Sequence, residues 1–451
     1  MSLTVALNTA VSGLFANQTA IAATSENIAN VNTPNFQRRE ATFVTDAIPG
    51  QFAGVDVEIA RAGVDRFLEA SLFSGNADAG AADVISDALA RIDASLGTPG
   101  ENQSFANKLD EASAAFALLS ADPSSPAARA TAIAALEAAF AAFGRTQDAI
   151  DLEATAADTA LSAKIDRANV LLTEIADLNS QAADSAGAQE AIDTRLSELS
   201  TLINISVTRA DDGSVSVFTQ AGDTLLGAGA QRRLSVQLGD AVSILLQPVD
   251  PATGAVNGAA ANISATLSGG EIGGLLSLRN QELPAVAALV DQSAQTIADD
   301  INAAYSLNTT VGANAPTADP LLVSVSGRIQ VNPGIINDPS SLAVARPGIG
   351  EVGGAADGSG AAAIADVAIG DAAQNAASVV AQIGAAVRSA EDAALTARSF
   401  ADDIAARAAS DAGVNLDEEL SNLILYQRAY NANARVIAAV DELYQSLLNI
   451  L

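Results

Sequence analysis

Both ends of the chain carry apolar residues at seven-residue intervals, and helices built this way need other helices to bury them. Leu416, Leu423, Tyr430, Ile437, Tyr444 and Leu451 follow one another by seven without a gap. Leu7, Leu14, Ile21 and Ile28 do the same at the other end, beside a weaker line of Leu3, Ala10, Asn17, Thr24 and Val31. The companion line at the C-terminal end, four residues on, is Leu420, Gln427, Ala434, Asp441 and Leu448. A heptad period sets such residues on one face of an α-helix and suits helix-against-helix packing. Polar residues interrupt both seams, which predicts an association completed by further copies of the chain.

The N-terminal pattern runs out in NIANVNTPNF, residues 27 to 36. Asn side chains bond nearby backbone groups, so they serve helix ends and turns better than helix interiors. Pro34 lacks an N–H and pushes Thr33 out of the α region. Asn35 is one of the few non-glycine types that tolerate positive φ. Asn27, Asn30, Thr33, Pro34, Asn35 and Phe36 are therefore read as a helix end followed by a specific turn.

Composition narrows the chemistry. The 451 residues include no Cys, His or Trp, and only Lys108 and Lys164 accompany the arginines. Thiol catalysis, histidine-based triads and Cys/His zinc sites are excluded. The net charge of −31 argues against nucleic acid and against an anionic membrane as partners. Apolar residues make up 49% of the chain with only 4% aromatic, a balance that suits long packed helices. Polar residues break every long apolar run, which speaks against a transmembrane helix. The N-terminus has no basic n-region and is a poor signal peptide.

Residues 80 to 200 show 3- and 4-spaced patterns broken at 97–102 and 122–126, predicting three or four long helices. From 203 to 247 the period shortens, and β-branched runs around Asp211-Asp212-Gly213 signal a hairpin. Helix is expected again over 284–305, with Pro284 in its first turn. Strand is expected within 319–339, loop at 346–361, and a final pair of helices from about 363. The fold class is mainly α with an inserted β-rich part, α+β, its terminal helices packed as a coiled coil. The division expected is a terminal domain of 1–40 with 412–451, a long-helix domain of 41–200 with 271–310 and 361–411, and β-rich segments at 201–270 and 311–360.

Enzyme-like motifs do not hold up. GIGEVG, 348–353, fits G-x-G-x-x-G but follows Pro347 and leads into a Gly/Ala/Ser stretch, without the strand and helix that dinucleotide binding requires. The acids Asp417, Glu418 and Glu419 follow Gly413, where Asn415 or Asp417 would cap a helix and the acids would favour its first turn. ADDG lacks the remaining positions of a calcium loop. No catalytic, cofactor or metal residue is expected, and no cofactor.

NTAVSGLFANQTAIAATSENIANVNTPNFQRRE resembles the N-terminal signature of bacterial flagellar axial proteins, in which a helix runs into N-I-A-N-x-x-T-x-G-[YF]. Asn27, Ile28, Ala29, Asn30, Thr33 and Phe36 match, with Asn35 in place of the usual glycine. GVNLDEELSNLILYQRAYNANARVIAAVDELYQSLLNIL resembles the C-terminal signature of the same group. GGEIGGLLSLRNQELP (269–284), IQVNPGIINDPSSLAVA (329–345) and Gln382-Ile383-Gly384 are similar to the hook-associated protein 1 family within it. The resemblance implies a structural protein of the first hook–filament junction, with a hook or distal-rod protein as the alternative. It implies a ring of copies of itself, with hook protein, the second junction protein (hook-associated protein 3) and an export chaperone as partners. It also implies export by the flagellar type III apparatus to an extracellular position, and terminal helices paired in an inner tube.

Overall fold

A computed structural model describes residues 3–33, 36, 38–48, 51–61, 66–97, 103–182, 186–210, 212–227, 229–250, 253–313, 315, 317, 319–348 and 351–448. In chain order these form α1 (Leu3–Ala29), β1 (Arg39–Ile48), β2 (Gln51–Arg61), α2 (Arg66–Ser95), α3 (Phe105–Ala121), α4 (Pro126–Asn179) and α5 (Ala186–Leu202). Strands β3 (Ile205–Arg209), β4 (Val215–Thr219), β5 (Thr224–Gly227), β6 (Ala230–Gln237), β7 (Ser243–Val249) and β8 (Ala261–Asn262) follow. The rest comprises α6 (Gly270–Ser277), α7 (Leu283–Tyr305), β9 (Leu322–Val325), β10 (Arg328–Val331), α8 (Pro333–Asn337), α9 (Ser359–Ala363), α10 (Gly370–Ala412) and α11 (Leu416–Leu448). The chain is mostly helical with an inserted β-rich region, as its periodicities predict.

Two compact units emerge, one of Met1–Asn76, Val170–Gln231 and Arg398–Leu451, the other of Ala77–Asn169 and Arg232–Ala397. In the first, α1 packs along α11, the β1–β2 hairpin lies on α1, and β3 and β4 form the predicted hairpin, Ile205 opposite Thr219 and Arg209 opposite Val215. Asp211 lies outside the described residues, and Gly213 turns the chain at φ 79°. The alternation of Val215, Val217 and Thr219 toward the interior buries one face of β4, the period of a half-buried strand.

The second unit is held by aromatic and aliphatic side chains that the alanine-rich helices bring together. Phe105 and Phe143 stack with ring centroids 4.1 Å apart, and Leu109, Phe116, Leu119 and Leu136 are fully buried. Helix α4 contains an 18-residue window of mean hydropathy 1.3, apolar enough by composition to cross a membrane. Its 54 residues would extend about 80 Å, far beyond the roughly 30 Å of a bilayer core. Ile133, Leu136, Phe140, Phe143 and Ile150 of this helix are buried in the protein, so its hydropathy serves packing. Pro284 falls at the start of α7, but residues 278–282 before it are already helical, wound as one wide π turn. Proline cannot donate to the preceding turn and crowds it, and the wider turn accommodates both effects. In the predicted strand region β9 and β10 pair through Ser326 (φ 53°) and Gly327 (φ 80°). Positive φ at both central residues defines a type I′ turn, whose twist matches that of paired strands.

One device recurs in both units. A helical asparagine presents its side-chain amide to a single residue of an extended segment, accepting from its N–H and donating to its C=O. In the first unit Asn179 grips Val215 in this way, at 2.9 and 2.8 Å. In the second, Asn169 grips Leu234, Asn280 grips Val242 and Asn302 grips Leu322, all at 2.8–2.9 Å. The amide acts as a strand residue supplied by a helix, satisfying backbone groups that no neighbouring strand reaches. Asn179→Ala leaves both groups of Val215 without these partners, at a cost of about 1–3 kcal/mol. Amide hydrogen exchange over 205–219 should accelerate roughly tenfold to a hundredfold while that over α3 stays unchanged.

Candidate assembly interface formed by the chain ends

Helices α1 and α11 run antiparallel. Thr4 Oγ1 meets the Tyr444 hydroxyl at 3.3 Å near one end, Gly13 faces Asn433 in the middle, and Asn27 Nδ2 donates to Glu419 Oε2 at 3.1 Å near the other. The buried residues of α1 include Ala10, Gly13, Asn17, Ala20, Thr24 and Asn27, spaced alternately by three and four. That is a two-line heptad seam. Leu7, Leu14, Ile21 and Ile28 are half-buried beside it. The physical reason is distance: small side chains allow the backbones to approach, and a row of leucines at the same positions would hold them apart.

On α11, Leu423, Tyr430, Ile437 and Tyr444 are half-buried on the face that also carries Glu419, Tyr426, Asn433 and Val440. Glu419 is 3% exposed and Val440 5%. Leu416, the first residue of the expected line, is 43% exposed, and Leu451 lies outside the described residues. The companion line thus runs one residue earlier than Leu420, Gln427, Ala434 and Asp441; of these, Leu420, Gln427 and Asp441 are exposed and Ala434 is half-buried. Leu420, Ile424, Leu425, Val436 and Leu443 lie off this buried line and remain 44–60% exposed.

Asn27 is the centre of this arrangement. It is fully buried and lies two residues inside the end of α1, so it belongs to the helix and not to the turn. Its Oδ1 accepts from the N–H of Arg39 at 2.9 Å, and its Nδ2 donates to the Arg39 carbonyl at 2.9 Å and to Glu419. The same two-point grip used elsewhere in the molecule here anchors the first residue of β1. Arg39 also reaches Glu26 at 2.6 Å, and Arg38 reaches Glu418 at 2.9 Å. The hydrogen bond to Glu40 and the nearby Glu418 together raise the Arg38 pKa above its ordinary value. Phe43 of β1 tilts against Tyr426 of α11 with centroids 5.7 Å apart. Burial first, and then the charge of Glu419, push the Tyr426 phenol pKa up. At the other strand Val55 N–H donates to Ser12 Oγ at 3.1 Å. Gly54 beside it has φ 145°, and a Cβ there would come within 2.5 Å of that oxygen.

The remaining residues of the motif form successive turns. Asn30 Nδ2 donates to the Glu26 carbonyl at 3.0 Å, Thr33 N–H to the Asn30 carbonyl at 2.8 Å, and Phe36 N–H to the Thr33 carbonyl at 3.2 Å. Pro34 and Asn35 lie outside the described residues. Asn30, Thr33 and Phe36 border a cavity of about 520 Å³, whose wall includes Leu72, Phe73, Ala405 and Val414. Asn415 caps α11, accepting from Asp417 N–H at 3.0 Å. Asp417 and Glu418 occupy the first turn, where acids complement the helix dipole. Glu419 departs from that reading, because it turns inward to Asn27.

No group of three or more His, Cys, Asp or Glu that could hold a metal occurs among the described residues. GIGEVG is only partly described; its described residues, Gly348 and 351–353, belong to neither a helix nor the strand that a nucleotide-binding turn requires. The hairpin β1–β2 was missed by periodicity reading, although REATFVTDAIPGQFAGVDVEIAR carries a Pro-Gly turn signal between two alternating runs.

Asn27→Ala leaves the Arg39 N–H and C=O and the buried Glu419 carboxylate without this partner. A loss of about 2–4 kcal/mol from the terminal unit is expected. Limited proteolysis should then cut within 39–61 at concentrations of protease that spare the parent chain, with α3 and α4 still resistant.

Comparison with known proteins places these ends and the helical part together. Residues 89–318, just over half of the chain, match the model of the flagellar hook-associated protein FlgK helical domain. Residues 407–450 match the flagellar basal body rod FlgEFG protein C-terminal model, and residues 7–37 the flagella basal body rod protein model. No curated protein matches. Among solved structures, the flagellar hook junction protein FlgK from Burkholderia pseudomallei is similar, with 21% identity and a TM-score of 0.51. The similarity covers 57% of this chain and 47% of that one, so the match spans less than half of that protein's length. The chain belongs to the flagellar hook-associated protein FlgK family.

Proposed function

We propose that this chain is a structural component of the bacterial flagellum that joins hook to filament, working by packing and not by chemistry. The observation that carries the reading is the combination of a hook-associated helical domain with two ends that match axial-protein models and pair with each other. The partners in this reading are further copies of the chain, the hook protein, the second junction protein and a cytoplasmic export chaperone. Export by the flagellar type III route brings it to the extracellular hook–filament boundary. The apolar residues of α11 that lie off its buried line supply the surface toward neighbouring copies, since exposed patches of this kind mark interaction sites. A second reading, a hook or distal-rod protein, is favoured by the rod-type models at the two ends.

A deletion strain separates the two readings. Electron microscopy of intact hooks without filaments supports the junction, and loss of the hooks themselves supports the second reading. Normal filaments on the deletion strain overturn both.

Ile424→Asp should leave the folded chain within about 0.5 kcal/mol of the parent, because the side chain is 51% exposed. It should nevertheless abolish swimming and release flagellin to the medium. Asp417→Asn, at an exposed first-turn position beside the true cap Asn415, should leave both unchanged. Motility with Ile424→Asp would remove the exposed apolar residues of α11 from the assembly surface.

A further inference from the structure

Seams of small and half-polar residues bury little apolar area, and a heptad repeat by itself allows two helices to slide by seven residues. Two contacts in the α1–α11 pair resist such a slide. The first is Asn27 with Glu419, buried at both partners. The second is Gly13 with Asn433: a Cβ on Gly13 would stand 2.8 Å from Asn433 Nδ2, so the asparagine fills the space that the glycine leaves open. Asn17 joins this second contact by donating to the Gly13 carbonyl at 2.6 Å. Gly13 and Asn27 are fourteen residues apart on α1, and Glu419 and Asn433 are fourteen apart on α11, so both contacts belong to one register.

We propose that Glu419 and Asn433 are specificity determinants that select this register and thereby select α1 of the same chain type as the partner of α11. A slide of one heptad in one direction brings Glu419 opposite Ala20, which is fully buried and offers no donor. A slide in the other direction brings Asn433 opposite the same alanine. Either alternative buries a polar or charged group without a partner, which costs far more than the few apolar contacts exchanged. A single buried polar position is enough to specify register in helical pairs, at some expense of stability. The partner that fits α11 is thus a helix with an amide at the place of Asn27 and a glycine fourteen residues before it. Helices sharing only the apolar heptad are rejected. This inference stands independently of the junction role.

The chain has no cysteine, so introduced pairs report register directly. Thr24→Cys with Leu423→Cys joins seam positions at one level in the observed register, and Thr24→Cys with Tyr430→Cys joins positions one heptad out. Each pair is oxidised in the purified full-length chain, under native conditions and in concentrated urea. Native chain should favour the first pair over the second by roughly tenfold or more relative to the urea control. Adding Glu419→Leu and Asn433→Leu, which leaves the Asn27 grip on Arg39 intact, should bring the two pairs within about twofold while helicity is retained. Glu419→Gln, which can still accept from Asn27, should keep the parent preference. A native preference no greater than that in urea overturns the proposal. So does an unchanged preference in the double leucine variant, and a lost preference in Glu419→Gln overturns the assigned role of that contact.

Discussion

The terminal unit depends on one side-chain amide. Asn27 joins three segments: its own helix, the start of the hairpin at Arg39 and the C-terminal helix at Glu419. An amide suits this position because it combines an acceptor with two donors in one plane. Aspartate would lose the donors and set a second negative charge beside Glu419. Leucine would bury comparable volume and leave a strand residue and a carboxylate unsatisfied. The seam around it is made of Ala10, Gly13, Asn17, Ala20 and Thr24, so close approach of the backbones is what allows so short a side chain to reach across.

The same solution appears at Asn169, Asn179, Asn280 and Asn302, each holding both backbone groups of one extended residue. A chain with few aromatic residues and no disulfide must keep short strands in place beside long alanine-rich helices. Alanine faces bring those helices close but offer no directional contact. The asparagines add direction, fixing which residue of an extended segment stands opposite which turn of the helix. They cannot slide, because the grip needs the N–H and the C=O of a single residue.

Much of this architecture was legible in the sequence, and the failures have physical causes. The long helices of 80–200, the hairpin around Gly213 and the strand region at 320–331 follow from periodicity and turn residues, which are local properties. The line Leu423, Tyr430, Ile437 and Tyr444 was visible because its residues are large. The N-terminal seam was harder: hydrophobicity put Leu7, Leu14, Ile21 and Ile28 first and Ala10, Asn17 and Thr24 as the weaker line beside them, whereas it is the weaker line that is buried, together with Gly13, Ala20 and Asn27. Close packing favours the small residues that a hydrophobic count undervalues. Asn27 read as a turn residue because asparagine is usually local in its bonding, and Glu419 read as a first-turn acid for the same reason. Their partnership spans 392 residues of sequence, and no spacing rule reaches so far.

That separation has a kinetic consequence. Closing a contact between positions 27 and 419 needs nearly the whole chain, so the α1–α11 seam cannot close until α11 has been synthesised and is free to return, whereas the grip of Asn27 on Arg39 spans only twelve residues. Local elements such as the α3–α4 region can fold early, while the α1–α11 seam must wait. Occupying α11 alone therefore leaves the seam face of α1 uncovered, and releasing it lets the two helices pair in one step. A single handle on the 33 residues of α11 then governs when the seam at the opposite end of the polypeptide is covered.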